Sequence, residues 1–249
     1  MLLVAMMLVF GVSGQAMAYF AQGDLIQVVY QTDGANEVAT DLGSLASLGG
    51  LTTAYSGPTQ NLSGAYNIPL PGTAGAFSTA NWANMQIAYY VSSGMAPVSA
   101  WTSGPQAGQV NGSRQGAAVA AWANVTDTYA AASATAQAQL LKSNQPSYYY
   151  KMDKGGQAIG SMAGFIQKPE YQGEQNLGAL ATPGSFVDSY LYYYPAVNTS
   201  TRGVMVATLR TAADGSTSIV GNPVPVPPSI LLLGSGLMGL VGIRRKQLV

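Results

Sequence analysis

Met85, Ile87, Tyr89 and Val91 fall on one side of an extended chain, and Gln86, Ala88, Tyr90 and Ser92 fall on the other. This period of two is that of a β-strand, and its recurrence along the chain limits what the molecule can fold into. Ile26, Val28 and Tyr30 alternate with Gln27, Val29 and Gln31, which gives one apolar and one mixed face, and a second strand is expected from Glu37 to Leu42. Ala100 to Thr102 reads as a short strand and Phe186 to Tyr194 as a Tyr-rich one. Gly203 to Thr211 is expected to pair with Ser216 to Val220 through Asp214-Gly215, because an Asp-Gly step between alternating runs is a strong hairpin signal.

One segment departs from this pattern. From Ser113 to Ser143 the chain is Ala-rich and free of Pro, with Trp122, Val125, Tyr129, Ala132, Ala136 and Leu140 spaced three or four apart. That spacing predicts a long helix, or a pair of helices, capped by Asn111 or Ser113 and stopped by Asn144 and Pro146. Thr52 to Asn81 and Lys154 to Gly184 are rich in Gly, Ser, Asn and Pro, and read as long loops or small irregular strands. The fold class expected for residues 19–222 is therefore mainly β, an antiparallel sheet or sandwich, with one long helical insertion near 113–143 (α+β).

Only 8% of residues are charged, against roughly 25% in an ordinary soluble domain. There is no Cys and no His, which excludes disulfides, the usual zinc sites and any catalytic triad that needs an imidazole base. Residues 19–222 hold 7 Lys and Arg against 10 Asp and Glu, a net charge of −3, and clustered cations of the kind that bind nucleic acid are missing.

The two ends read as addresses. Met1 to Ala18 is an apolar run that closes on Ala16-Met17-Ala18, the small-x-small pattern of signal peptidase, so a secretory signal cut after Ala18 is expected. No Lys or Arg precedes this run, although such leaders open on a basic stretch, and translation is expected to begin upstream of Met1. At the other end, Val224-Pro225-Val226-Pro227-Pro228-Ser229 leads into the apolar residues 230–243, followed at once by Arg244, Arg245 and Lys246. The locked φ and missing N–H of its prolines make the first part an extended, stiff segment that an enzyme can grip. The 14 apolar residues that follow make a helix of about 21 Å against a hydrocarbon core of about 30 Å, so they form a weak, temporary transmembrane anchor. The cations fix the C-terminus on the cytoplasmic side.

A Pro-rich motif, a short Gly-containing apolar helix and a terminal Arg cluster resemble the PEP-CTERM sorting domain of Gram-negative exported proteins, with Val226 in place of the usual Glu. The N-terminal Ala21-Gln22-Gly23-Asp24-Leu25 and the Leu42-Gly43-Ser44 step loosely resemble the first strands of the same family. The resemblance implies recognition by an exosortase, a membrane-embedded cysteine protease or transpeptidase of bacteria that make exopolysaccharide. It also implies export through Sec and signal peptidase, a transient stay in the inner membrane, and delivery to the outer membrane, cell surface or matrix.

Within residues 19–222, chemistry is sparse. Gly160-Ser161-Met162-Ala163-Gly164 lacks the spacing of a nucleophile elbow, no base is at hand, and no catalytic activity is expected. Asp24, Asp33, Glu37 and Asp41 place four of the ten acids within 18 residues, an oxygen-rich set to which Ca²⁺ is the fitting ion, although solvated strand ends are the plainer reading. Tyr148-Tyr149-Tyr150 and Tyr190 with Tyr192-Tyr193-Tyr194 supply amphipathic rings. Neighbouring Tyr residues on a strand point to opposite faces, so Tyr149 and Tyr193 are singled out as contacts for a glycan. The expectation for the whole is an exported, non-enzymatic surface or matrix protein associated with exopolysaccharide. Two alternatives are a carbohydrate-binding or polysaccharide-modifying module and a self-assembling surface subunit.

Overall fold

The alternating segments pair into one antiparallel sheet. A computed structural model describes residues 19–73, 75–92, 99–104, 115–153, 173–195 and 203–221. Its strands are β1 (Asp24–Gln31), β2 (Asn36–Ser44), β3 (Gln60–Asn61), β4 (Met85–Val91), β5 (Ala100–Gly104), β6 (Gln137–Leu141), β7 (Glu174–Asn176), β8 (Phe186–Tyr194), β9 (Val204–Ala212) and β10 (Thr217–Val220). They lie in the order β3-β10-β9-β8-β5-β4-β1-β2-β6, and β7 takes the half of the β4 edge that β5 leaves open. The Asp214-Gly215 hairpin forms as expected, with Thr217 opposite Thr211. Gly215 sits at φ 83°, and a Cβ there would meet the Ile68 carbonyl oxygen at 2.6 Å, so the turn needs glycine.

The mixed face of β1 is buried, not solvated. Gln27 Nε2 donates to Thr217 Oγ1 at 2.6 Å and to Tyr89 Oη at 3.1 Å, while Tyr89 Oη also bonds Thr211 Oγ1 at 2.7 Å. β1 and β10 are five strands apart in the sheet order, which in a flat sheet is about 24 Å. Direct contact between them means the sheet curls into a half-barrel with this face inside. Leu25, Val29, Ile87, Val91, Leu191 and Leu209 fill the interior around the polar group. The loop after β3 closes the gap: Ile68 N–H donates to Gly215 O on one side, and Gln137 Nε2 donates to Asn67 O on the other.

The outer face carries Ile26, Val28, Tyr30, Tyr90, Tyr192 and Tyr194 and is covered by helix α1 (Gln115–Ala132). Ala118, Val119, Trp122, Val125 and Tyr129 supply its buried stripe, and Trp122 stacks on Tyr90 with centroids 5.8 Å apart. The helix is shorter than the Ala-rich pattern predicts. It ends at Ala132, and 137–141 is strand β6, with Val38 opposite Gln139. Two local facts explain the difference. The hydroxyls of Ser133 and Thr135 bond to each other and to the main-chain N–H of Thr135 and Gln137, drawing the backbone out of the helix. The outer edge of β2 then offers ladder bonds that Gln137 to Leu141 accept, and Asn144 and Pro146 end up in the turn beyond β6.

Asn111, Ser113, the apolar N-terminal run with Ala16 and Ala18, and the segment from Val224 to Lys246 lie outside the described residues. Among the described residues, no helix is long and apolar enough to cross a membrane. Among the described residues, Phe20 is already in the core and the last strand is Thr217–Val220.

Candidate functional site

The turn that joins β1 to β2, residues 32–35, borders a cleft of about 380 Å³ lined by Thr32, Asp33, Gly34, Ala35, Lys142, Ser143, Tyr149 and Tyr150. Strand pairing brings these distant segments together. β6 runs antiparallel along β2, so Lys142 arrives beside Ala35 and its N–H donates to Ala35 O at 2.8 Å. The Lys142 side chain is buried, and its ammonium donates to the carbonyl oxygens of Gln31 at 2.5 Å and Thr32 at 2.9 Å, capping the end of β1. The same ammonium lies 4.1 Å from the centroid of the Tyr149 ring and 5.6 Å from that of Tyr30.

Behind the cleft, Glu37 organises the tyrosines. Its side chain is fully buried, and its carboxylate accepts the Tyr129 hydroxyl at 2.5 Å and the N–H groups of Tyr148 and Tyr149, each at 2.8 Å. Burial pushes the Glu37 carboxyl up to about 6 from an ordinary 4.5, against the lowering effect of these donors and of Lys142. Burial and the neighbouring Glu37 also hold the Tyr129 hydroxyl well above its ordinary value. Successive residues then diverge. Tyr148 turns inward, stacks on Tyr90 at 5.8 Å and donates to Glu174 Oε1 at 2.7 Å, whereas Tyr149 stands half-buried at the cleft, edge-on to Tyr30. On the opposite wall, Asp33 accepts from Gln31 and Asn84, each at 2.8 Å, and the Gln31 bond leads the causes that hold its carboxyl below the usual range. An aromatic edge, a buried cation, a carboxylate and hydroxyls around an open cleft suit a polyhydroxylated ligand: the ring takes an apolar sugar face and the oxygens take its hydroxyls.

The fold places the two candidate tyrosines differently. Tyr193 lies on the other face of the sheet, with its ring 5.0 Å from that of Trp101 and its hydroxyl 3.1 Å from Ser99 Oγ. Both rings are half-buried, and of the pair Tyr149 borders the cleft while Tyr193 packs on Trp101 away from it. The four acids do not converge either. Glu37 is enclosed by tyrosines, Asp33 is in the turn, and Asp24 and Asp41 lie together at the start of β1. Among the described residues no group of three or more potential metal ligands forms. The residues that sequence reasoning missed are Lys142 and Glu37 as supports for Tyr149. Lys142 stood at the end of an Ala- and Gln-rich segment that reads as helix yet pairs as strand, and Glu37 was read only as one of four nearby acids. Comparison with protein families, characterised proteins and solved structures finds no match.

Proposed function

We propose that this chain is an exported cell-surface or matrix protein of a Gram-negative bacterium, delivered by Sec and signal peptidase and sorted by an exosortase. The observation that carries the reading is the order of the C-terminal segments: the Val224-to-Ser229 Pro motif, the short apolar run and Arg244-Arg245-Lys246. In this reading the apolar run holds the chain in the inner membrane, the cations set its orientation, and the enzyme cuts near Pro225 to Pro228. The last described strand reaches Val220, and the Gly221 N–H on Thr59 Oγ1 at 3.3 Å ties the chain to the body just before the Pro motif begins. Intact-mass analysis of the exported protein tests the sorting step. Loss of residues 230–246 is expected, and a mature form that retains them in wild-type cells refutes it.

The Tyr149 cleft favours one addition, that the body contacts exopolysaccharide. The role is adhesive, not catalytic, in this reading: Tyr149 supplies the stacking surface, with Asp33, Ser143 and Thr32 at its rim. A glycan array and pull-down with purified exopolysaccharide test it.

A further inference from the structure

Asp24 and Asp41 form a second acidic centre at the opposite end of β1 from the cleft. The chain that enters β1 is tied to them. Phe20 N–H donates to Asp41 Oδ2 at 2.6 Å, and Ala21 N–H donates to Asp24 Oδ2 at 2.8 Å. The Phe20 side chain is buried against Tyr129, with ring centroids 5.6 Å apart, and its backbone takes φ 59°, a left-handed conformation that only firm anchoring sustains. The β1–β4 ladder runs to Leu25 opposite Val91, and just beyond it the Gly23 N–H donates to Ser92 O at 2.6 Å, which brings Ser92 to the start of β1. Its hydroxyl is buried and finds no hydrogen-bond partner among the described residues. The site thus has two carboxylates and an unused hydroxyl, and no Lys or Arg among the described residues forms an ion pair with either acid.

We propose that Asp24, Asp41 and Ser92 form a seat for the α-ammonium group that cleavage after Ala18 creates on Tyr19, so that export processing locks the N-terminus onto the sheet. The inference rests on the proposed signal cleavage. Water splits the Ala18–Tyr19 amide; the new carboxylate leaves on Ala18, and the amine stays on Tyr19 and takes up a proton. Bond lengths alone keep the Tyr19 nitrogen within about 4 Å of the Phe20 nitrogen, hence within about 7 Å of Asp41 Oδ2 before any relaxation. The freed group pivots about the Tyr19 Cα–C bond and offers three donors. The acceptors assigned to it are the Ser92 hydroxyl and the two carboxylates, of which Asp41 also accepts the Gly43 N–H at 2.7 Å on Oδ1. The other titratable groups on this side, Tyr90, Tyr129 and Glu37, bring no positive charge. Burial, with Asp41 next in effect, holds the Asp24 carboxyl up at about 6, as expected of an acidic pair that still lacks its cation.

The test uses protein purified from the exporting cell. N-terminal sequencing comes first, and a terminus other than Tyr19 overturns both the cleavage reading and this inference. With Tyr19 confirmed, the α-amine is titrated by its rate of acylation against pH and by NMR after ¹³C reductive methylation. An ordinary α-amine titrates near 7.7–8.0, about, and a seated one is expected at least one pH unit higher, which makes it roughly tenfold less reactive at pH 7. Asp41→Asn, which keeps an acceptor for the Phe20 N–H, and a form that retains Ala18 are each expected to restore ordinary reactivity. A wild-type α-amine as reactive as the α-amine of both variants overturns the inference and leaves the cleavage reading standing.

Discussion

Glu37 stores a pH dependence that can be worked out from its surroundings. It is fully buried, and three donors do not make up for lost hydration, so its carboxyl ionises at about 6 in the fold against 4.5 otherwise. The folded state therefore binds more protons than the unfolded state between those values, and stability falls as pH rises through the window and is flat above it. At about 1.36 kcal/mol per pH unit of displacement, the loss between pH 4 and pH 7.5 is about 2 kcal/mol. Glu37→Gln copies the shape of the protonated acid and cannot ionise. It imposes a constant offset, because an amide nitrogen now faces the Tyr149 N–H, but it removes the titration. Urea unfolding of wild type and variant, followed by tryptophan fluorescence at several pH values, measures the gap between them. Asp24 titrates in both proteins and cancels from the comparison. The gap is expected to move by about 2 kcal/mol in favour of the variant from pH 4 to pH 7.5. Parallel pH profiles refute the reasoning, since they mean that Glu37 ionises no later in the fold than in the unfolded chain.

Tyr149→Ala is expected to abolish exopolysaccharide pull-down with less than about 1 kcal/mol lost in unfolding, because the ring is half-buried and the N–H bond to Glu37 remains. Tyr193→Ala does the reverse: it leaves binding intact and lowers the unfolding midpoint through loss of the Trp101 and Ser99 contacts. Retained binding in Tyr149→Ala removes the cleft from the glycan reading. Inside the half-barrel, Tyr89→Phe takes a hydroxyl from Gln27 and Thr211 and is expected to cost about 1–3 kcal/mol in urea unfolding. A neutral result means that water or another side chain takes over those bonds.

How much of this was legible from the chain varies with the distance over which the cause acts. Strands β4, β8, β9 and β10 and the Asp214-Gly215 turn followed from alternation and turn chemistry, which act over a few residues. The end of the Ala-rich helix did not, because the Ser133 and Thr135 hydroxyls that draw the backbone out act together with a β2 edge more than ninety residues earlier in the chain, which no local window contains. Tyr149 was legible as an exposed ring, but not its platform, since Lys142 and Glu37 meet it only through the β1–β2–β6 pairing. The acids at 24, 33, 37 and 41 looked like one cluster on paper. Pairing at one residue per roughly 3.4 Å spreads Asp41 and Glu37 about 14 Å apart along β2 and puts Asp24 beside Asp41 alone.

By itself the sequence determined a disulfide-free, weakly charged β body flanked by an apolar N-terminal run and a Pro-apolar-basic C-terminal one, because these rest on composition, short-range period and chain order. Only the tertiary structure decided that the sheet curls, that Gln27 on the mixed face of β1 belongs inside with Tyr89 and Thr217, and that one tyrosine of the pair faces a cleft. The physical reason is common to all three. Burial and hydrogen-bond partnership depend on which segments meet across the sheet, and that is set by the lowest free energy of the whole arrangement, not by any window of neighbours.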